Sequence, residues 1–272
     1  MSLAESTAAT RADVTRPHVT RPRGNRSPVE AVITAAVRVA GARATPDIRR
    51  GNFQEWGTGV AKVCADRTPF AEYWTQRNER ALADSGPLWV ALGDSAAQGI
   101  GADHPADGYV GQSWARLTEQ TGQPWRVVNL SRSGATIPDV LAEQLPRLAA
   151  LPEAPALVTC GVGTNDMLRV TPGRVRALYR DLIDAVPANT VLLDVPLPVG
   201  RCRIGRFAVR YVARVNTMVH AMADARRLPV AYVSRHFVPP WPGKFGPDDF
   251  HPNATGYRDW TRALLQAVPI HR

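Results

Sequence analysis

The chain has 272 residues, 44% of them hydrophobic, which suits one catalytic-sized globular domain with extensions. Its formal charge is +9, but the first 50 residues alone hold nine Arg against Glu5, Asp13, Glu30 and Asp47, so more than half of the excess is local. Only Lys62 and Lys244 are lysines among 33 basic residues, a bias of composition that does not by itself mark a nucleic-acid binder.

Residues 1–28 are rich in Thr, Arg, Pro and Ser and nearly free of large apolar side chains, so they are expected to form a disordered basic tail. Residues 29–85 are expected to be a helical wrap. In it "SPVEAVITAAVRVAGARA" spaces Val29, Val32, Ile33, Ala36, Val37 and Ala40 for one helix face behind a Ser27 cap, and "FAEYWTQRNERALA" repeats the helical pattern. From residue 86 to 272 short β-like runs alternate with helices. The predicted strands are "PLWVALGD", "RVVNLS", "ALVTCGVG", "TVLLDVPL" and "PVAYVS". The helices between and after them run from about Tyr109 to Gly122, Ile137 to Ala149, "GRVRALYRDLIDAV", Phe207 to Arg227 and "ATGYRDWTRALLQAV". Five strands separated by helices predict a parallel sheet covered on both faces, with function at the carboxyl ends of its strands.

Four segments fall at that edge: Asp94-Ser95 after the first strand, Ser133-Gly134 after the second, "GVGTND" after the third, and "GPDDFHPN" before the last helix. A serine near neutral pH needs a base, and a histidine with an ordinary pKa of roughly 6.5 is matched to that task. The base needs an acceptor on its second ring nitrogen, and Asp248 stands three residues before His251, within one turn of it. Asp249 is assigned to solvent or capping, and Pro252 restricts His251 to extended backbone. Donors for a developing oxyanion are available in the N–H groups of Ser95 and Gly134 and the side-chain amide of Asn165. Asp166 is read as structural, a cap for the loop beyond Asn165, and Cys160 as a small core side chain.

These blocks, Gly93-Asp94-Ser95, "NLSRSGAT", Gly163-Thr164-Asn165-Asp166 and Asp248-Asp249-Phe250-His251, resemble in residue type and order those of the SGNH hydrolases, the GDSL-type esterases and lipases. The resemblance covers roughly Pro87 to Val268. It implies a three-layer α/β/α, flavodoxin-like fold with a five-stranded parallel sheet, here behind an N-terminal helical extension. It implies Ser95 as nucleophile, Asp248 and His251 as the rest of the triad, and Ser95, Gly134 and Asn165 as the oxyanion hole. The implied reaction is hydrolysis of a small-molecule carboxylic ester through an acyl-enzyme, with no metal or organic cofactor. Ala96 stands where the family usually has Leu, which bears on the shape of the acyl pocket.

The acyl chain and the alcohol stay open, as do acyl transfer by the same triad and the oligomeric state. Competing patterns are missing: there is no GxSxG, GxGxxG, Walker A loop, HExxH or SxxK. Cys64, Cys160 and Cys202 form no CxxC pair and fit a reducing compartment. With no recognisable signal peptide and no run of about 20 apolar residues, the expectation is a cytoplasmic protein without a transmembrane segment. No nucleic-acid partner is expected. Binding of nucleic acid or a peripheral membrane surface by the Arg-rich first 50 residues is the rival from another class.

Overall fold

The computed structural model describes residues 67–196 and 206–269. The basic tail, the helix expected from Ser27 to Gly41 and the rival surface-binding role of the first 50 residues lie outside the described residues. The first described element is helix α1 (Arg67–Ala83), followed by strand β1 (Leu88–Gly93), a single helical turn α2 (Ser95–Gln98), and α3 (Tyr109–Thr121). Strand β2 (Arg126–Asn129) leads into α4, which runs as Ile137–Asp139, a π segment Val140–Gln144 and Leu145–Ala149. Then come β3 (Leu157–Gly161), α5 (Thr164–Arg169), α6 (Pro172–Ala185), β4 (Thr190–Leu193), α7 (Arg206–Ala225), β5 (Val230–Ala231), α8 (Val233–His236) and α9 (Ala254–Ala267).

All strand pairs are parallel, and the order is β2-β1-β3-β4-β5. This is the flavodoxin-like order, which places a crevice where the winding reverses beside β1 and β3. Every residue of β1 is buried because both faces of the sheet are covered. The two-residue period of a strand then sorts its side chains. Leu88, Val90 and Leu92 enter a core shared with Ile137, Val140, Leu178, Leu182 and Val215, whereas Trp89 and Ala91 enter one shared with Tyr109, Leu117, Tyr257, Trp260 and Leu264. Helices α4, α6 and α7 thus cover one face, and α3 and α9 the other.

Two expectations are corrected in detail. The helix expected from Ile137 to Ala149 is interrupted by the π segment, which carries buried Gln144. Its side-chain amide accepts from the Gly93 N–H and donates to the Gly93 carbonyl, both at 2.8 Å, so both ends of a polar amide inside the core have a partner. The strand expected over "PVAYVS" pairs only at Val230 and Ala231, after which the chain turns into α8. The Asp194 carboxylate accepts both the backbone N–H (2.9 Å) and the hydroxyl (2.5 Å) of Ser234, drawing the chain off the sheet edge.

Helix α1 is fastened to the site end of the sheet. Asn78 donates to the Asn129 carbonyl (2.9 Å) and accepts from the Asn129 N–H (2.7 Å), pairing with the free edge of β2 as another strand would. The Trp74 indole, buried beside it, donates to the Gln98 carbonyl at 3.0 Å. Among the described residues no helix is long and apolar enough to cross a membrane.

Candidate active site

The Ser95 turn is built by its neighbours. Gly93 adopts φ +151, and a Cβ there would lie 2.5 Å from the Gly161 carbonyl oxygen, so only glycine lets β1 end this close to β3. Asp94 then caps the turn by accepting from Ala96 N–H at 3.0 Å. Burial raises the Asp94 carboxyl to about 6, against the opposing pull of that hydrogen bond and of His251. Ser95, the first residue of α2, is 9% exposed.

His251 arrives on the loop before α9. That loop is closed by hydrogen bonds from Gly246 N–H to the His251 carbonyl (2.8 Å) and from Asn253 N–H to the Lys244 carbonyl (3.0 Å). Asn253 also caps α9, accepting from Thr255 and Gly256. Asp248 takes the backbone N–H groups of Phe250 (3.0 Å) and His251 (2.9 Å) on one oxygen and the His251 Nδ1 on the other at 2.5 Å. Burial pushes the Asp248 carboxyl up, but these hydrogen bonds and the imidazole charge outweigh it and hold it below the usual range. A carboxylate so ionised only accepts, so Nδ1 donates to it, and whenever the ring is neutral Nε2 is the acceptor. The Ser95 hydroxyl donates to that Nε2 at 2.8 Å, across 156 residues of sequence. Asp249 sits in the left-handed region (φ +53) with its N–H on the Gly246 carbonyl and closes the turn.

Asn165 reaches the loop that carries Gly134. Asn165 donates one amide hydrogen to the Ala135 carbonyl at 2.9 Å, leaving a second hydrogen on the same nitrogen, and Arg169 reaches the Gly134 carbonyl at 3.4 Å. Neither the Ser95 nor the Gly134 N–H has an internal acceptor among the described residues. Asp166 is structural, as expected, but it caps α4: its carboxylate accepts the Ile137 N–H at 2.9 Å. Cys160 is buried in the core, and burial pushes its thiol up to about 12, which leaves it unreactive.

Three buried amides, Asn129, Gln98 and Gln144, were not singled out from the sequence. Asn129 donates to the Ala97 carbonyl (2.7 Å) and accepts from Ser131 N–H (3.1 Å) and hydroxyl (2.5 Å), tying β2's exit to the Ser95 turn. The only signal available was position, and only for two of them: Asn129 ends β2 and Gln98 stands five residues after β1, whereas Gln144 lies in mid-helix.

The family model of GDSL-like lipases and acylhydrolases matches residues 91–258, more than half of the chain. Among solved structures, TesA is 26% identical with a TM-score of 0.56, over 67% of this chain and 98% of that one. A variant of Axe2, an acetyl xylan esterase from Geobacillus stearothermophilus, is 20% identical with a TM-score of 0.56, over 69% and 97%. LAE5, an alpha/beta hydrolase enzyme from the metagenome of Lake Arreo, is 22% identical with a TM-score of 0.55, again over 69% and 97%. The latter two speak for the fold alone. No curated protein matches the chain. Sequence blocks, sheet order and family match agree: the chain belongs to the GDSL-like lipase/acylhydrolase family and is a carboxylic ester hydrolase of the SGNH type.

Proposed function

We propose that the protein hydrolyses a small-molecule ester through an acyl-enzyme on Ser95. The observation that carries this reading is the continuous chain from Asp248 Oδ2 to His251 Nδ1 (2.5 Å) and from His251 Nε2 to Ser95 Oγ (2.8 Å). In the first half-reaction the Ser95 proton moves to His251 Nε2 as Oγ bonds to the ester carbonyl carbon. Asp248 stabilises the resulting imidazolium. The carbonyl oxygen, now negative, is met by the Ser95 N–H, the Gly134 N–H and the second amide hydrogen of Asn165. Collapse breaks the carbon–oxygen bond to the alcohol, which leaves with the proton from His251. In the second half-reaction His251 takes a proton from water as its oxygen attacks the acyl carbon. The acid departs and the proton returns to Ser95.

Of the possible esters, those with short acyl groups are the favoured class. The acetyl xylan esterase Axe2, whose fold this chain shares, is consistent with it. The test is hydrolysis of p-nitrophenyl esters from acetyl to palmitoyl by the wild type and Ser95→Ala, with fluorophosphonate labelling of both. Loss of hydrolysis and of label in Ser95→Ala is expected, with the highest kcat/KM on acetyl to butyryl esters. Equal hydrolysis by the two proteins overturns the assignment, and a preference for palmitoyl overturns the acyl class. Product analysis with an added alcohol acceptor reads out transfer: free acid is expected as the main product.

A further inference from the structure

We propose that Gln98 is the positioning residue that sets the oxyanion loop against the nucleophile's helical turn. The proposal rests on the reading of Ser95 as nucleophile and of Gly134 N–H as an oxyanion donor.

The loop carrying Gly134 is a turn closed by the Ala135 N–H on the Arg132 carbonyl at 3.0 Å. Gly134 has φ +77, and a Cβ placed on it would meet nothing within 4 Å. The turn's own hydrogen bond fixes its shape, and bonds from neighbouring elements fix its place against the Ser95 turn. At the start of the loop, Ser131 N–H is taken by Asn129, and Arg132 N–H by the Gly93 carbonyl at 3.2 Å. Beyond Gly134, Asn165 holds the Ala135 carbonyl. The peptide N–H immediately before that of Gly134 belongs to Ser133, and its acceptor is Gln98 Oε1 at 3.0 Å.

The same amide donates from Nε2 to the Ser131 carbonyl at 3.3 Å, so one side chain grips the loop at two points two residues apart. Gln98 is also the last residue of the turn that Ser95 begins. Its backbone N–H donates to the Asp94 carbonyl (3.3 Å), and its own carbonyl is held by Trp74 Nε1 (3.0 Å). With 7% exposure it has little room to swing. A rigid backbone at one end and a two-point grip at the other make Gln98 the spacer between the attacking oxygen and the donor that stabilises its product. Between Ser95 and Gly101 it is the one polar side chain, "SAAQGIG". A displacement of about 1 Å in such a constellation costs on the order of 100-fold in rate, and a single oxyanion donor contributes about 100- to 1000-fold.

The experiment compares full-length wild type, Gln98→Met, Gln98→Asn, Gln98→Glu and Ser95→Ala on p-nitrophenyl butyrate. Turnover is expressed per serine titrated to completion with a fluorophosphonate, and thermal unfolding is recorded for each. Methionine keeps the shape and loses both hydrogen bonds; asparagine keeps the amide but is one methylene too short; glutamate keeps an acceptor for Ser133 N–H. Gln98→Met and Gln98→Asn are expected to lower kcat per labelled serine by about 10- to 100-fold with KM changed less than about twofold, and Gln98→Glu to recover to within about fivefold of wild type. A role confined to folding would lower the number of labelled sites and the unfolding temperature while kcat per site held. That result, or equal losses in the methionine and glutamate variants, overturns the proposal; Gln98→Asn decides it if the methionine variant does not fold. An active Ser95→Ala would instead overturn the underlying site. An inactive Ser95→Ala with wild-type turnover in Gln98→Met overturns the positioning role alone.

Discussion

Among the described residues two clusters are made of one aspartate, one histidine and one serine, and they differ in who stands in the middle. At the end of β1, His251 is central, with Asp248 on Nδ1 and Ser95 on Nε2. At the end of β4, Asp194 is central: it accepts from the Ser234 N–H and hydroxyl and bonds His220 Nε2 at 3.1 Å. In the first arrangement the serine proton points at a base that can take it. In the second the serine donates to a carboxylate that holds no route for its proton, while the His220 ring stands edge-on to Tyr232 at 4.8 Å. The same three residue types are strung as the proposed proton relay in one place and as a brace between β4, α7 and α8 in the other. Connectivity, not composition, carries the chemistry.

Substitutions that leave residue types alone but cut one connection should separate the clusters. Ser95→Ala is expected to lower kcat by about 10⁴- to 10⁶-fold, whereas Ser234→Ala should leave turnover within about twofold; steady-state kinetics on a short p-nitrophenyl ester read both. Asp248→Asn keeps the shape but offers Nδ1 an amide, favouring the wrong tautomer, and should cost on the order of 10⁴-fold in kcat with KM little changed. Asn165→Ala removes one oxyanion donor and should cost about 100- to 1000-fold, again in kcat.

Stability against pH sharpens the contrast between two aspartates near the nucleophile. Burial raises Asp94 to about 6, above its unfolded value of about 3.9. The protonated form therefore favours the folded state, and this contribution, full below about pH 3.9, is lost as pH rises through about 6, with a total on the order of 3 kcal/mol. Asp248 is shifted the other way, so its contribution is present above about pH 3.9 and lost as pH falls through its lowered folded value. Asp94→Asn should flatten the stability curve between about pH 4 and 6, and Asp248→Asn should flatten it only below that window. Urea unfolding midpoints from pH 3 to 8 give the slopes, and an unchanged slope in Asp94→Asn would contradict the buried-carboxyl account. The smallest effect belongs to the brace: Ser234→Ala should lower stability by about 1 kcal/mol through the lost hydroxyl hydrogen bond, read from the same denaturation curves.

Much of the site is legible in the sequence because its parts are local. His251 stands three positions after Asp248, so a single turn brings carboxylate and ring together whatever the rest of the fold does. The element order is legible too, since the alternation of apolar runs and amphipathic stretches leaves a parallel sheet as the way to return the chain after each strand. The length of β5 was not legible: Tyr232 and Val233 have strand character, and only the Asp194 carboxylate, forty residues before Ser234, turns them away. Nor was the π segment in α4. A helical period of apolar residues does not reveal that one extra residue per turn is taken up so that Gln144 can face the Gly93 peptide.

The sequence by itself determined the order of the strands and the long helices along the chain, the Asp-x-x-His pairing and the identity of the groups able to do acyl chemistry, because these depend on neighbours within a turn or on residue type. The tertiary structure alone decided that Ser95 meets His251 across 156 residues, that Asp194 makes a brace rather than a second relay, and that Gln98 bridges the two halves of the site. Those outcomes depend on strand order, on register and on which polar groups burial strips of water and obliges to find partners. Such information exists only once the sheet has assembled.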